Sequence, residues 1–161
     1  MPTLLDTYNP SILAIPVLHI LAILPHGYAL SVATGGHPTR WDNRNPRSTD
    51  LKSKLSERLS ADDFALYERL EACSANGMEN LPLFATAVIL GNMAGLKKDG
   101  IWGMTGFAAS FLAVRVLYTA AYVGGKTQGL SFVRSGLWTL GVGLCWRVII
   151  KSAKALGGAR L

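Results

Sequence analysis

Thr7–Thr39, TYNPSILAIPVLHILAILPHGYALSVATGGHPT, is a run of 33 residues without a single Asp, Glu, Lys or Arg. A helix crosses the hydrocarbon layer of a bilayer in about 20 residues. The apolar centre of the run, Ile12 to Thr34, therefore predicts a membrane helix. Met1 to Pro10 carry no Lys or Arg, and a cleaved signal peptide needs a basic start and a shorter apolar core. The segment reads as a retained first span. Pro16 and Pro25 lie inside it, which membrane helices tolerate when neighbours satisfy the freed carbonyls. His19 and His26 read as polar contacts to neighbouring helices.

The whole chain has the same bias. Of its 161 residues, 50% are hydrophobic and only 16% charged, against about 25% charged in an average soluble domain. Mean hydropathy is +0.28. These values exclude an ordinary soluble globule and a disordered chain. Two cysteines, Cys73 and Cys145, both in apolar stretches, exclude a disulfide scaffold. Two Cys and three His without ligand spacing give no metal site. The net charge is +6, and its basic residues cluster between apolar runs. That distribution fits membrane topology and contact with anionic lipid headgroups, and there is no nucleic-acid motif.

Working outward, a polar loop covers 35–63. It holds Arg40, Arg44, Arg47, Lys52, Lys54 and Arg58 against Asp42, Asp50, Glu57, Asp62 and Asp63. It alone is long enough to carry substructure, and its basic residues argue for the cytoplasmic side. A second span follows over about 66–96, with Asn80-Leu81-Pro82 as a kink and Gly91 with Gly95 as a small-residue contact pair. The third covers about 101–123 and the fourth about 131–150. The fold class is thus all-α: an integral membrane four-helix bundle in a single domain over 1–161.

Charged residues at membrane depth usually face a bundle interior or a wet cavity. On span two, Arg69, Asn76 and Glu79 fall within roughly 80° of one another at 100° per residue. On span three, Arg115, Tyr118 and Tyr122 fall within roughly 60°. Arg134 and Ser135 open span four. Arginines grip carboxylates bidentately, and a carboxylate accepts from an ammonium. The set suits a small zwitterion with several carboxylates, although a buried network that only locks helices together would use the same residues. Arg147, near the far end of span four, reads as an interfacial anchor. Trp102, Trp138 and Trp146 read as belt or packing residues, and Cys73 as packing.

The run Glu68-Arg69-Leu70-Glu71-Ala72-Cys73-Ser74-Ala75-Asn76-Gly77-Met78-Glu79-Asn80-Leu81-Pro82 resembles the second-helix signature of the MAPEG superfamily, membrane-associated proteins in eicosanoid and glutathione metabolism. Arg115-x-x-Tyr118-x-x-x-Tyr122 followed by Arg134-Ser135 resembles helices three and four of that family. The loop Trp41-Asp42-Asn43-Arg44-Asn45-Pro46-Arg47 is similar to a branch often met in fungi.

The resemblance implies a homotrimer of the microsomal glutathione transferase type in the endoplasmic reticulum membrane. Glutathione would lie between neighbouring subunits, held by Arg69, Asn76, Glu79, Arg115 and Tyr118. Arg134, Ser135 and Tyr122 would be the catalytic residues. Arg134 would stabilise the thiolate that attacks a lipophilic substrate arriving from the bilayer. Ala72 and Ala75 depart from the pattern, standing where many glutathione-using members have arginines. Two alternatives follow from that departure. One is a glutathione-independent isomerase or cyclase that tailors a lipophilic natural product in the same pocket. The other is a non-catalytic lipid-binding scaffold. The terminal Ala159-Arg160-Leu161 loosely matches a peroxisomal address.

Overall fold

A computed structural model of the chain describes residues 7–46 and 48–158. Arg47 of the loop motif and the terminal Ala159-Arg160-Leu161 lie outside the described residues. The described residues form five long helices: α1 Pro10–Thr34, α2 Thr49–Arg58, α3 Ala61–Met93, α4 Met104–Val123 and α5 Gln128–Gly158, with a short 3-10 turn at Pro38–Arg40. No strand occurs among the described residues, so the chain is all-α as expected. Three helices are long and apolar enough to cross a membrane: α1, α4 and α5. α3 falls short because its first half carries Asp62, Asp63, Glu68, Arg69 and Glu71, with Glu79 beyond them.

Each helix boundary has a local cause. Asn9 caps α1 by accepting from the Ser11 amide at 3.1 Å, and Gly35 ends that helix at φ 61°, where a Cβ would be strained. Neither Pro16 nor Pro25 breaks α1, which runs unbroken past both. Ser60 caps α3, accepting from the Asp63 amide at 3.1 Å. Two aspartates in the first turn complement the positive end of the helix dipole.

α3 starts earlier than the apolar pattern predicts and also stops earlier, at Met93. Its end is a Schellman turn: the Leu96 amide donates to the Gly91 carbonyl at 3.0 Å and the Gly95 amide to the Asn92 carbonyl at 3.1 Å. Gly95 sits at φ 62°. It therefore terminates the helix and is not half of a helical contact pair. Ile101 to Gly103 form a turn, and α4 begins at Met104. The Lys97 and Lys98 carbonyls accept from the Met104 and Thr105 amides at 2.9 and 3.0 Å, capping α4 without a side chain. α5 outruns its predicted 131–150 at both ends. Hydrocarbon thickness sets how much of a helix must be apolar, not where it stops.

The polar loop carries α2, an amphipathic helix capped by Ser48. Its Leu55 is buried with Ala29, Ala33, Tyr67 and Leu70. Arg58 donates to the Ala33 carbonyl at the end of α1, a cation on a helix C-terminus. Ahead of α2, Arg44 forks onto Asp42 at 2.9 Å through each of two nitrogens. This holds the Asp42 carboxyl at about 2.

α3 is the central element, packed against α1, α4 and α5. Far from the loop, Phe84 stacks on Phe111 with ring centres 4.5 Å apart. Leu18, Val88, Phe107, Cys145 and Val148 complete that core. At the same end Asn9, Ser11 and Asn92 close a ring of hydrogen bonds between α1 and α3, at 2.7 to 3.1 Å. Outward faces stay apolar: Ile20, Leu24, Leu117, Phe132 and Ile150 are all more than half exposed.

Gly77 fixes the approach of α1 to α3. A Cβ there would stand 2.8 Å from Ala22 Cβ and 3.0 Å from Ala22 Cα. At Gly91 a Cβ would meet Met104 Sδ and Cε and, at 3.0 Å, Val148 Cγ1, and the methionine tip can move. Gly77→Ala is therefore expected to destabilise by about 1–3 kcal/mol, more than any gain in helix propensity. Gly91→Ala is expected to cost clearly less. Thermal unfolding in detergent compares the two, and equal melting temperatures would refute the close α1–α3 contact.

Candidate functional site

The polar residues of α3, α4 and α5 converge where the sequence places them. Arg115 is buried, only 5% exposed. Its two terminal nitrogens donate to Asn76 Oδ1 at 3.2 and 3.3 Å. Asn80 Nδ2 donates to the same oxygen at 3.2 Å and to the Asn76 carbonyl at 2.8 Å. Asn76 thus serves as the acceptor for a buried cation, which is costly to leave unmatched.

From Arg115 an aromatic relay leads outward. The guanidinium carbon lies 4.3 Å from the Tyr118 ring centre. Tyr118 meets Tyr122 edge-on at 5.2 Å. Arg134 of α5 lies 4.1 Å from the Tyr122 ring centre and donates to Ser131 Oγ at 3.2 Å. Cation–π contact holds both guanidiniums over phenol rings. Helical spacing makes this possible, because Tyr118 and Tyr122 are one turn apart on α4.

Asn76, Tyr118, Tyr122, Arg134 and Ser135, with Trp138 and Thr139, line a cleft of about 420 Å³. The Trp138 and Thr139 positions were not expected from the sequence. They follow Arg134 and Ser135 by four residues, so the i, i+4 rule would have found them. Trp138 is thus a cleft wall as well as an apolar surface residue. Ser135 turns its hydroxyl onto the Ser131 carbonyl at 3.2 Å. Behind the cleft, Cys73 Sγ lies 3.8 Å from Thr119 Oγ1.

Two expected site residues stand apart. Arg69 does not line this cleft, and its Nε is buried with no hydrogen-bond partner. Glu79, one turn beyond Asn76, is exposed on α3. Arg147 lies 4.8 Å from the Trp102 ring centre. His26 meets Glu71 of α3, Nδ1 to Oε1, at 2.6 Å. No group of three or more His, Cys, Asp or Glu with metal-binding geometry occurs among the described residues.

The MAPEG family model matches residues 12–154. The chain belongs to the MAPEG family. That match runs from Ile12 in α1 to Lys154 in α5 and supports a membrane protein of the kind that includes glutathione transferases and related enzymes. No characterised protein and no solved structure matches the chain at a significant level.

The MAPEG pattern also makes the positions of Ala72 and Ala75 informative. Neither lines the Arg134 cleft. Both line a larger cleft of about 850 Å³ beside α1 and α2.

Proposed function

We propose that this MAPEG protein is a membrane glutathione transferase or peroxidase acting on lipophilic substrates. The reading includes α3 as a fourth span, a homotrimer, and a site between subunits that opens to the cytosol from the endoplasmic reticulum membrane. One observation carries it: Asn76, Arg115, Tyr118, Tyr122 and Arg134 form a continuous polar relay that ends in an open cleft.

The donor set fits glutathione. The guanidinium of Arg134, which lines the cleft, offers N–H groups to carboxylate or thiolate. Glu79 is an exposed carboxylate on α3, a costly placement in lipid. A neighbouring subunit and the ammonium of a bound zwitterion would relieve that cost.

Bound glutathione would supply a sulfur nucleophile, either for a carbon–sulfur bond as a halide leaves, or for reduction of a hydroperoxide to alcohol and water with a second glutathione taking up the oxidised sulfur as a disulfide. Arg134 favours the thiolate by placing a fixed positive charge beside it. Tyr122 holds that guanidinium by its ring face. Asn76 and Arg115 keep the α3–α4 wall in place. The exposed apolar surface beside the cleft, including Trp138, admits an electrophile from the bilayer.

A second reading, isomerisation without glutathione by Glu79, Tyr118, Tyr122 and Arg134, is favoured by Ala72 and Ala75, which bring no cation to α3. Turnover of a chlorodinitrobenzene and of cumene hydroperoxide by the purified protein, with and without glutathione, separates the two. An absolute requirement for the thiol supports the first reading. Isomerisation of a lipophilic substrate at the same rate without the thiol supports the second.

A further inference from the structure

His26 and Glu71 pair across α1 and α3 at 2.6 Å, and both side chains remain partly exposed, at 42% and 35%. Glu71 is five residues before Asn76, which places it about 140° away around α3. The pair is therefore outside the relay of Arg115 and Arg134. It borders two clefts at once. One, of about 850 Å³, is floored by Ile23, Ala72, Ala75 and Met78 and covered by the start of α2. The other, of about 600 Å³, lies toward Leu30 and Trp41. Lys52 of α2 ties this cover to Glu68 of α3 at 2.7 Å.

A carboxylate can only accept, so the proton in the His26–Glu71 contact belongs to Nδ1. Nε2 is then the ring's basic nitrogen. Three groups combine: a base with a fixed tautomer, a carboxylate that stabilises the imidazolium, and an apolar floor. The lysine of the larger cleft is already paired with Glu68, and Ala72 and Ala75 add no charge. Among the described lining residues no unpaired lysine or arginine awaits an anionic ligand, whereas Ile23, Ala72, Ala75 and Met78 suit an apolar one.

We infer that His26 and Glu71 form a second, glutathione-independent acid–base site that takes uncharged lipophilic carbonyl compounds. From a β,γ-unsaturated member of this class, His26 Nε2 takes a proton from the carbon between the carbonyl and the C=C, and the electron pair spreads into a dienolate. The same nitrogen returns the proton to the γ-carbon, and the double bond moves into conjugation with the carbonyl. The net change is an isomerisation, with no oxidant, reductant or co-reactant. His26 is the catalytic residue, and Glu71 is a positioning residue acting through it. The inference stands independently of the glutathione reading.

A nitrobenzisoxazole tests it without knowledge of the natural substrate. Loss of its ring C–H proton to a base breaks the N–O bond and gives a coloured cyanonitrophenolate. The assay uses the whole protein in detergent, without glutathione. Saturable elimination is expected, falling at least about a hundredfold in His26→Ala. Added imidazole should restore His26→Ala but not a denatured sample. Glu71→Gln should lower kcat about tenfold at unchanged KM. His19→Ala, on the same helix but away from the cleft, should match wild type. Elimination no faster than with free imidazole would overturn the inference. So would equal losses in His19→Ala and His26→Ala, or failure of imidazole to restore a His26→Ala protein that elutes like wild type.

Discussion

Arg134→Ala is expected to lower glutathione-dependent turnover about a hundredfold, a loss of about 2.7 kcal/mol of transition-state stabilisation. Arg134 is the cation at the mouth of the relay. Its protein contacts are the Tyr122 ring at 4.1 Å and one hydroxyl at 3.2 Å. Neither contact is a buried ion pair, so its removal leaves no uncompensated charge and the fold should stand. The effect should therefore appear in kcat, with the oligomer eluting as wild type. Arg134→Lys keeps the charge but not the planar guanidinium, and should recover part of the rate. Full activity in Arg134→Ala would remove the role assigned to it.

Asn76→Leu is expected to have the largest effect on stability. Its amide oxygen accepts both terminal nitrogens of buried Arg115. Leucine leaves the guanidinium without that acceptor, at a cost of about 2–3 kcal/mol. The melting temperature in detergent should drop by about 5 °C or more. Asn76→Asp retains an acceptor and should lose less. Arg115→Met made together with Asn76→Leu removes the orphaned charge, so the pair should cost less than the two single changes added. An unchanged melting temperature in Asn76→Leu would show that the contact contributes nothing.

The all-α character was legible because a charge-free run of 33 residues leaves few alternatives. The joining of Asn76 to the Arg115, Tyr118 and Tyr122 face was legible for a related reason, whereas Arg69 and Glu79, placed with Asn76 by helical period, stand apart from the cleft. Helical period alone puts Tyr118 and Tyr122 with Arg115, and the cost of buried charge draws Asn76 to that arginine. α2 was harder to see, because Leu51 and Leu55 are set among charges and its stability comes from packing Leu55 beneath α1 and α3. Gly95 was misread because a helix-ending glycine and a helix-packing glycine look alike until φ is known. The His26–Glu71 pair was invisible in one strand of sequence. It joins residues 45 apart, and no period on either helix encodes that register. The same limit applied to Ala72 and Ala75, whose cleft is made jointly by α1, α2 and α3.

The most direct test of the central claim is calorimetric titration of glutathione into the purified, detergent-solubilised protein. The account predicts saturable binding in the micromolar to millimolar range, weakened at least about tenfold in Glu79→Ala. Absence of binding, or the same affinity in Glu79→Ala, would contradict it.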